Sequence, residues 1–272
     1  MFTRFTGLLI VPVWIAAMGW LVVNDVLPGI TAKPPPPLHV NDWLRHDGRK
    51  TQYEISTPAG RIGTIWTDYL IDSTSVRRDD IVYIDKPLGE LTPLRAIISS
   101  VFTSEGVLDE FTLRMANRTT DMELHGERFH ADFSFSFETS VLPRKQTFKI
   151  PLADAGVVTG AFRPFASLSD LKVGDRWQMQ VFNPIAAVSG FGRRFIPMLV
   201  EVTGSEVWTT SEGPVECLLV EASKAKAWVD RNGLVRKQTF SIPAFGDINI
   251  TYEEGYDEVA VLNARAKVFK RR

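Results

Sequence analysis

The sequence predicts a mainly all-β protein: a curved antiparallel sheet or incomplete barrel built from two similar halves, preceded by an N-terminal transmembrane helix. Three observations predict it. The stretch "FHADFSFSF" alternates Phe129, Ala131, Phe133, Phe135 and Phe137 with polar residues, the period of two of a strand with one buried side. "RKQTFKIP" (Arg144 to Pro151) and "RKQTFSIP" (Arg236 to Pro243) spell nearly the same eight residues twice; this reads as one sheet unit used twice, with local convergence as the alternative. Strand patterns do not alternate with helical ones in a βαβ rhythm, which removes the parallel-sheet nucleotide-binding folds.

The N-terminus carries the first element. Phe5 to Val23 is uncharged for about 19 residues, roughly 28 Å as a helix and close to a bilayer's hydrocarbon thickness. Residues 1–24 read as a membrane anchor, with Pro12 tolerated as a kink. A cleaved leader is the competing reading, but the apolar core is long for one, and in "ITA" Ile30 stands where a small residue is wanted. Arg4 and the α-amino group precede the span, and Asp25 follows it. The positive-inside tendency therefore puts the N-terminus in the cytoplasm and the remaining chain outside a bacterial inner membrane. Residues 25–39 form a linker in which Pro34 to Pro37 favour an extended polyproline II spacer.

Residues 40–260 read as one antiparallel β domain, its halves at about 50–152 and 173–255. A chain of 272 residues with 44% apolar and 23% charged residues carries a sheet-built domain of that size, and its net charge of -1 argues against a polyanion partner. The single cysteine, Cys217 in "VECLLVEA", excludes an intramolecular disulfide and reads as a small buried hydrophobe.

In order along the domain, Thr92-Pro93 suggests an N-cap and first turn, making "TPLRAII" a short helix. "VFTSEGVLDEFTLRM" suggests a hairpin turning at Glu105-Gly106, with Phe111, Leu113 and Met115 on one face. The Phe-rich strand leads through "ETSVLP" into the first octapeptide, where Gln146, Phe148 and Ile150 share a face. "RWQMQVF" offers Trp177, and "MLVEVTGSEVW" a hairpin around Gly204-Ser205. "AKAWVDRNGLV" offers a two-residue type I′ loop at Asn232-Gly233 leading into the second octapeptide, with Gln238, Phe240 and Ile242 on one face. "DINITYE" is a last strand, and 261–272, ending "ARAKVFKRR", reads as a basic, disordered tail.

Candidate chemistry is thin. His125 and His130 are five apart, on opposite faces of a strand, so no metal site is expected. No Gly-x-Ser-x-Gly elbow occurs. Asp79-Asp80 and Glu253-Glu254 read as solvated turns or strand ends. "VSGFGRRF" has Gly190 and Gly192 but no phosphate-loop lysine, leaving Arg193-Arg194 as a basic loop. No enzyme activity and no cofactor are expected, and no nucleic-acid partner. Aromatic surface remains: Phe129, Phe133, Phe135, Phe137, Trp177 and Trp228 are the candidate ligand-binding residues, lining a cavity or filling a core. The two functions this allows are a membrane-tethered binding module for a lipid or other apolar ligand, with a transporter or envelope protein as partner, and a non-enzymatic envelope scaffold.

"LSDLKVGDRWQMQVFNP", "VEVTGSEVW", "VECLLVEA" and "AWVDRNGLVRKQ" together resemble a group of uncharacterised exported bacterial β-rich proteins. Their tail pattern is Trp-Val-Asp-x-x-Gly-x-Val-x-Lys/Arg-Gln, here Trp228 to Gln238. The resemblance covers roughly residues 53 to 252. It implies an exported domain, in some members beside transporter components or transglutaminase-like domains, and brings no catalytic residue. In architecture such proteins are similar to the Lol-type periplasmic lipoprotein carriers, whose curved antiparallel half-barrel shelters acyl chains.

Overall fold

The structure, a computed structural model, describes residues 50–269 apart from 73, 87–92, 106, 117–120, 131, 141, 152–164, 166–167, 169, 183–194, 212, 224 and 243–245. The expected anchor, the proline linker and the Gly190 to Arg194 loop lie outside the described residues. Among those described, no helix is long and apolar enough to cross a membrane.

Among the described residues, fourteen strands make one antiparallel sheet: β1 (Lys50–Thr57), β2 (Gly60–Ile71), β3 (Ser75–Ile84), β4 (Leu94–Thr103), β5 (Leu108–Ala116), β6 (Asp121–Phe129), β7 (Asp132–Thr139), β8 (Leu142–Pro151), β9 (Arg176–Phe182), β10 (Phe195–Thr210), β11 (Gly213–Ala222), β12 (Ala225–Asp230), β13 (Val235–Ile242) and β14 (Gly246–Glu253). A helix, α1 (Glu258–Phe269), follows β14. The order across the sheet is 8-7-6-5-4-3-2-1-14-13-12-11-10-9. Each of these strands therefore pairs with its neighbours in sequence, except that β8 and β9 do not pair and are the two edges, and β1 and β14 join in the middle. This is the neighbour order of a ring opened once. The expectation of an all-β, antiparallel, incompletely closed architecture holds.

Open sheets beyond about ten strands curl rather than stay flat, and burial shows which face is inside. Tyr53, Ile65, Val82, Ala96, Ile98, Phe111, Leu113, Leu124, Phe133, Phe135 and Phe137 are all buried and form one cluster with Ile248 and Ile250. Register places them together: Ile98 lies opposite Leu113, Leu113 opposite Leu124, and Leu124 opposite Phe137. A second cluster, with Trp177, Val200, Val202, Val220, Ala227, Val229, Val235, Phe165 and Leu168, continues that face in the second half, and Phe240 packs against both. On the outer face, Trp66, Ile81 and Ile97 are covered by Val261 and Ala264 of α1.

The octapeptides are the second arms of two hairpins, β7–β8 and β12–β13. Their environments differ. Gln146, Thr147 and Lys149 on the edge strand β8 are exposed, whereas Gln238 on the internal strand β13 is only 1% exposed.

Five local expectations are overturned. "FHADFSFSF" is not one strand: the chain reverses between Phe129 and Asp132, with His130 in the left-handed region (φ 57°). Phe129 therefore pairs with Asp132, off the face that holds Phe133. The Thr92-Pro93 helix is absent, because the apolar and β-branched run of Leu94–Thr103 is strand β4 between β3 and β5. Gly204-Ser205 is no hairpin; β10 runs straight through it with a bulge between Val202 and Gly204, and the reversal comes between Thr210 and Gly213. The Asn232-Gly233 loop has three residues, Arg231 to Gly233, with Asp230 N–H donating to Leu234 O at 2.9 Å and only Gly233 (φ 83°) left-handed. Finally, the basic tail is largely the packed helix α1 rather than disordered chain.

Candidate functional site

The six candidate aromatics fall into three places. Phe133, Phe135 and Phe137 lie together on the inner face, all buried. They are packed ring on ring: Phe135 stacks on Phe148 at 5.1 Å, sits 4.9 Å from Phe133, and meets Phe111 edge-on at 6.2 Å, two strands away. Gly126, opposite both Phe111 and Phe135, makes that possible. A Cβ there would lie 2.4 Å from the Phe133 ring and 2.6 Å from that of Phe135. Trp177 is buried in the second cluster.

Phe129 and Trp228 do not join them. Phe129 is 53% exposed, against the His130 ring and beneath Lys149 Nζ. Trp228 is half-buried on the outer face, 6.2 Å from Trp208, with Lys237 Nζ over both rings and its indole N–H donating to Glu206 at 2.8 Å. The hairpin at His130 and the alternation of β12 put these two on the other side of the sheet.

The inner face also carries buried polar groups. Asp79 and Asp80, expected at a solvated turn, are adjacent in mid-strand β3 and point to opposite faces, each buried. Asp80 accepts from Thr67 Oγ1 and forms an ion pair with Arg78 Nη2 at 2.7 Å. Burial works against the Arg78 charge, but Asp80, with Tyr69 and Tyr53 adding, holds the guanidinium ionised well above its ordinary range. Asp79 accepts from Ser99 and Arg77 and meets Arg265 of α1 at 3.3 Å. Both are ion-paired within the sheet.

An opening lies at one end of the second half. Leu168, Leu171, Leu218 and Val229 form the floor of a half-open groove of about 580 Å³, with Asp170, Lys172, Glu216 and Arg231 at its rim. The floor side chains belong to, or pack against, the second cluster. Local chemistry holds both walls. On one side Asp175 Oδ2 accepts from Lys172 N–H at 2.8 Å, while Gly174 N–H donates to Val202 O and Val202 N–H to Asp175 O, tying this turn to the bulge in β10. On the other, Asp230, only 4% exposed, accepts from the N–H groups of Asn232 and Leu234 and from Arg236 Nε, at 2.9 to 3.0 Å. The guanidinium of Arg236 in turn lies over the Tyr252 ring at 5.2 Å. Arg231 pairs with Glu216 across the rim, and this holds the exposed Glu216 carboxyl below its ordinary range.

This geometry explains the Trp228 to Gln238 pattern. Trp228 supports Lys237, Asp230 knots the turn, Gly233 supplies its left-handed residue, Val235 enters the core, and Gln238 crosses to the inner face. The groove residues themselves escaped the sequence reading. Leu168 and Leu171 sit in an irregular turn with no periodicity, and Leu218 was legible only as part of an apolar run around Cys217. Cys217 is fully buried as expected; burial, helped by Asp230, pushes its thiol up to about 11.

The fold and groove define an all-β, open antiparallel sheet with an apolar recess at one end. Among solved structures the chain is similar to the crystal structure of a β-barrel-like protein of the domain of unknown function DUF1849 from Brucella abortus. The two share 10% identity and a TM-score of 0.42, over 76% of this chain and 97% of that one. No family model matches the chain, and no curated protein matches it.

Proposed function

We propose that the protein is a non-enzymatic binding module for a lipid or other apolar ligand, tethered outside the cytoplasm by its N-terminal apolar segment and working beside an envelope transporter. The groove carries this reading: a recess of about 580 Å³ with an aliphatic floor and a charged rim lies within the usual size range of small-ligand sites. Its floor is continuous with the buried inner face, so an acyl chain entering there replaces water with aliphatic contacts. The half-barrel lipoprotein carriers supply an analogy of architecture only. The working surface is thus moved from Phe133, Phe135 and Phe137, which are packed against one another, to Leu168, Leu171, Leu218 and Val229.

The test is titration of the full-length chain, held in amphipol, with a fluorescent long-chain fatty acid. Saturable binding is expected, weakened at least about tenfold, or ~1.4 kcal/mol, by Leu171→Arg at the half-buried floor, with the melting temperature unchanged. Absence of saturable binding in the wild type overturns the reading. A scaffold function is the second reading, favoured by one observation: β8 and β9 each keep an edge without a strand partner among the described residues. It predicts no bound lipid and co-purification of an envelope protein that is lost when β8 is altered.

A further inference from the structure

One side chain beneath the groove has no place in a purely hydrocarbon site. Gln238 is 1% exposed, and neither its Nε2 nor its Oε1 has a hydrogen-bond partner among the described residues. Its surroundings are apolar: Ala227 and Ile250 lie opposite it on the neighbouring strands, and Phe240 follows on the same face. It stands at the seam between the two core clusters, Ala227 belonging to one and Ile250 to the other. A buried amide with both ends unmade costs about 1–3 kcal/mol per unsatisfied group, and leucine would fill the same volume without that cost. The twin position, Gln146, is exposed and has water to satisfy it, so the shared octapeptide does not account for the burial of Gln238.

Position supplies the rest. Val229, in the groove floor, pairs with Val235; the next inward-facing residue of β12 is Ala227, which pairs with Gln238. The amide is thus one rung below the groove floor, about 6.6 Å further along the strands, beside the smallest side chain of that rung. We infer that the ligand is an amphiphile whose hydrogen-bonding group, able both to donate and to accept as a carboxamide does, reaches past the groove floor and pairs with Gln238. This deepens the binding reading above and rests on it. Gln238 offers two N–H donors and one carbonyl acceptor, the complement of a second amide, and carries no charge that would call for an ionised headgroup.

The experiment compares octanamide with 1-chlorooctane, equal in chain length and differing in the end group, as competitors of the fluorescent fatty acid on the full-length chain, with Leu171→Arg as the groove-blocked background. The wild type is expected to favour octanamide by about tenfold or more, the cost of leaving a site amide unpaired. Gln238→Leu is expected to reverse the preference in favour of chlorooctane, whose binding is kept while the octanamide amide is left unpaired, and to melt no lower than wild type without ligand. Equal competition by both compounds in the wild type overturns the inference and leaves the binding reading standing. Loss of binding by both overturns the two together. A lower melting temperature for ligand-free Gln238→Leu also overturns it, since the amide would then be satisfied within the fold.

Discussion

At the residue scale, the side chains that fix this fold are those whose chemistry is settled by the strand across from them. Phe133, Phe135 and Phe137 were legible because one polar residue between each pair declares a face. Phe129 was not, because the reversal at His130 preserves the apolar spacing in the sequence while breaking it in space. Asp79 was misjudged for a related reason: two adjacent acids look like a solvated turn until strands β2 and β4 and helix α1 bring Thr67, Ser99 and Arg265 to them. Cys217 offers a test of burial at this scale. Burial, with the Asp230 charge adding, pushes its thiol up to about 11 from an ordinary value of 9.0. The folded state thus binds the proton more tightly, so the stabilisation is complete below pH 9 and is lost as pH rises from 9 through 11. Urea unfolding is expected to show the wild type losing about 2 kcal/mol more across that window than Cys217→Ala, the pH dependence of other groups such as Tyr256 being common to both. A wild-type profile parallel to that of the variant would show that the thiol is in contact with water.

At the scale of elements, misreadings came where tertiary pairing outweighed a local signal. Gly204-Ser205 has turn chemistry, but β9 and β11 pair along the residues on either side of it, so the glycine marks a bulge in a sixteen-residue strand. Helix α1 hides in the sequence because its apolar residues make no clean stripe. Val259 and Leu262 are exposed while Val261 and Ala264 are buried. It is specified by its contacts instead: Asp257 caps Ala260 N–H at 2.9 Å, Tyr256 donates to Asp68 at 2.6 Å, and Arg265 bridges Asp68 and Asp79. The Asp68 hydrogen bond and burial both push the Tyr256 phenol upward, burial most. Val261→Asp is expected to detach the helix, since a lone carboxylate among Trp66, Ile81 and Ile97 costs several kcal/mol more than the released surface. Tryptophan emission would shift to the red and amides of 258–269 would exchange quickly; unchanged emission and protection would show that the helix is not held by this face.

At the scale of the whole molecule, the strand order makes a claim that the repeated octapeptide does not. The sequence reads as one β domain with halves at about 50–152 and 173–255, which leaves open where the halves join. The two segments contribute eight and six strands to one sheet, and their seam is the pairing of β1 with β14, from Gln52 opposite Glu253 to Ser56 opposite Asn249. Ile250 sits at that seam, opposite Ile55 on one side and Gln238 on the other, and is 2% exposed. Its neighbours belong to both halves, so a cavity there weakens each. Ile250→Ala is expected to cost about 2–5 kcal/mol, and the loss should appear as a shift of one cooperative transition reported equally by near-ultraviolet circular dichroism and by amide exchange in β3 and in β11. Strands so far apart in the chain can share one transition only if the seam is part of a common core. Two resolved transitions in the variant, with β11 released while β3 stays protected, would mean that each half is stable alone and that the seam is an interface rather than an interior.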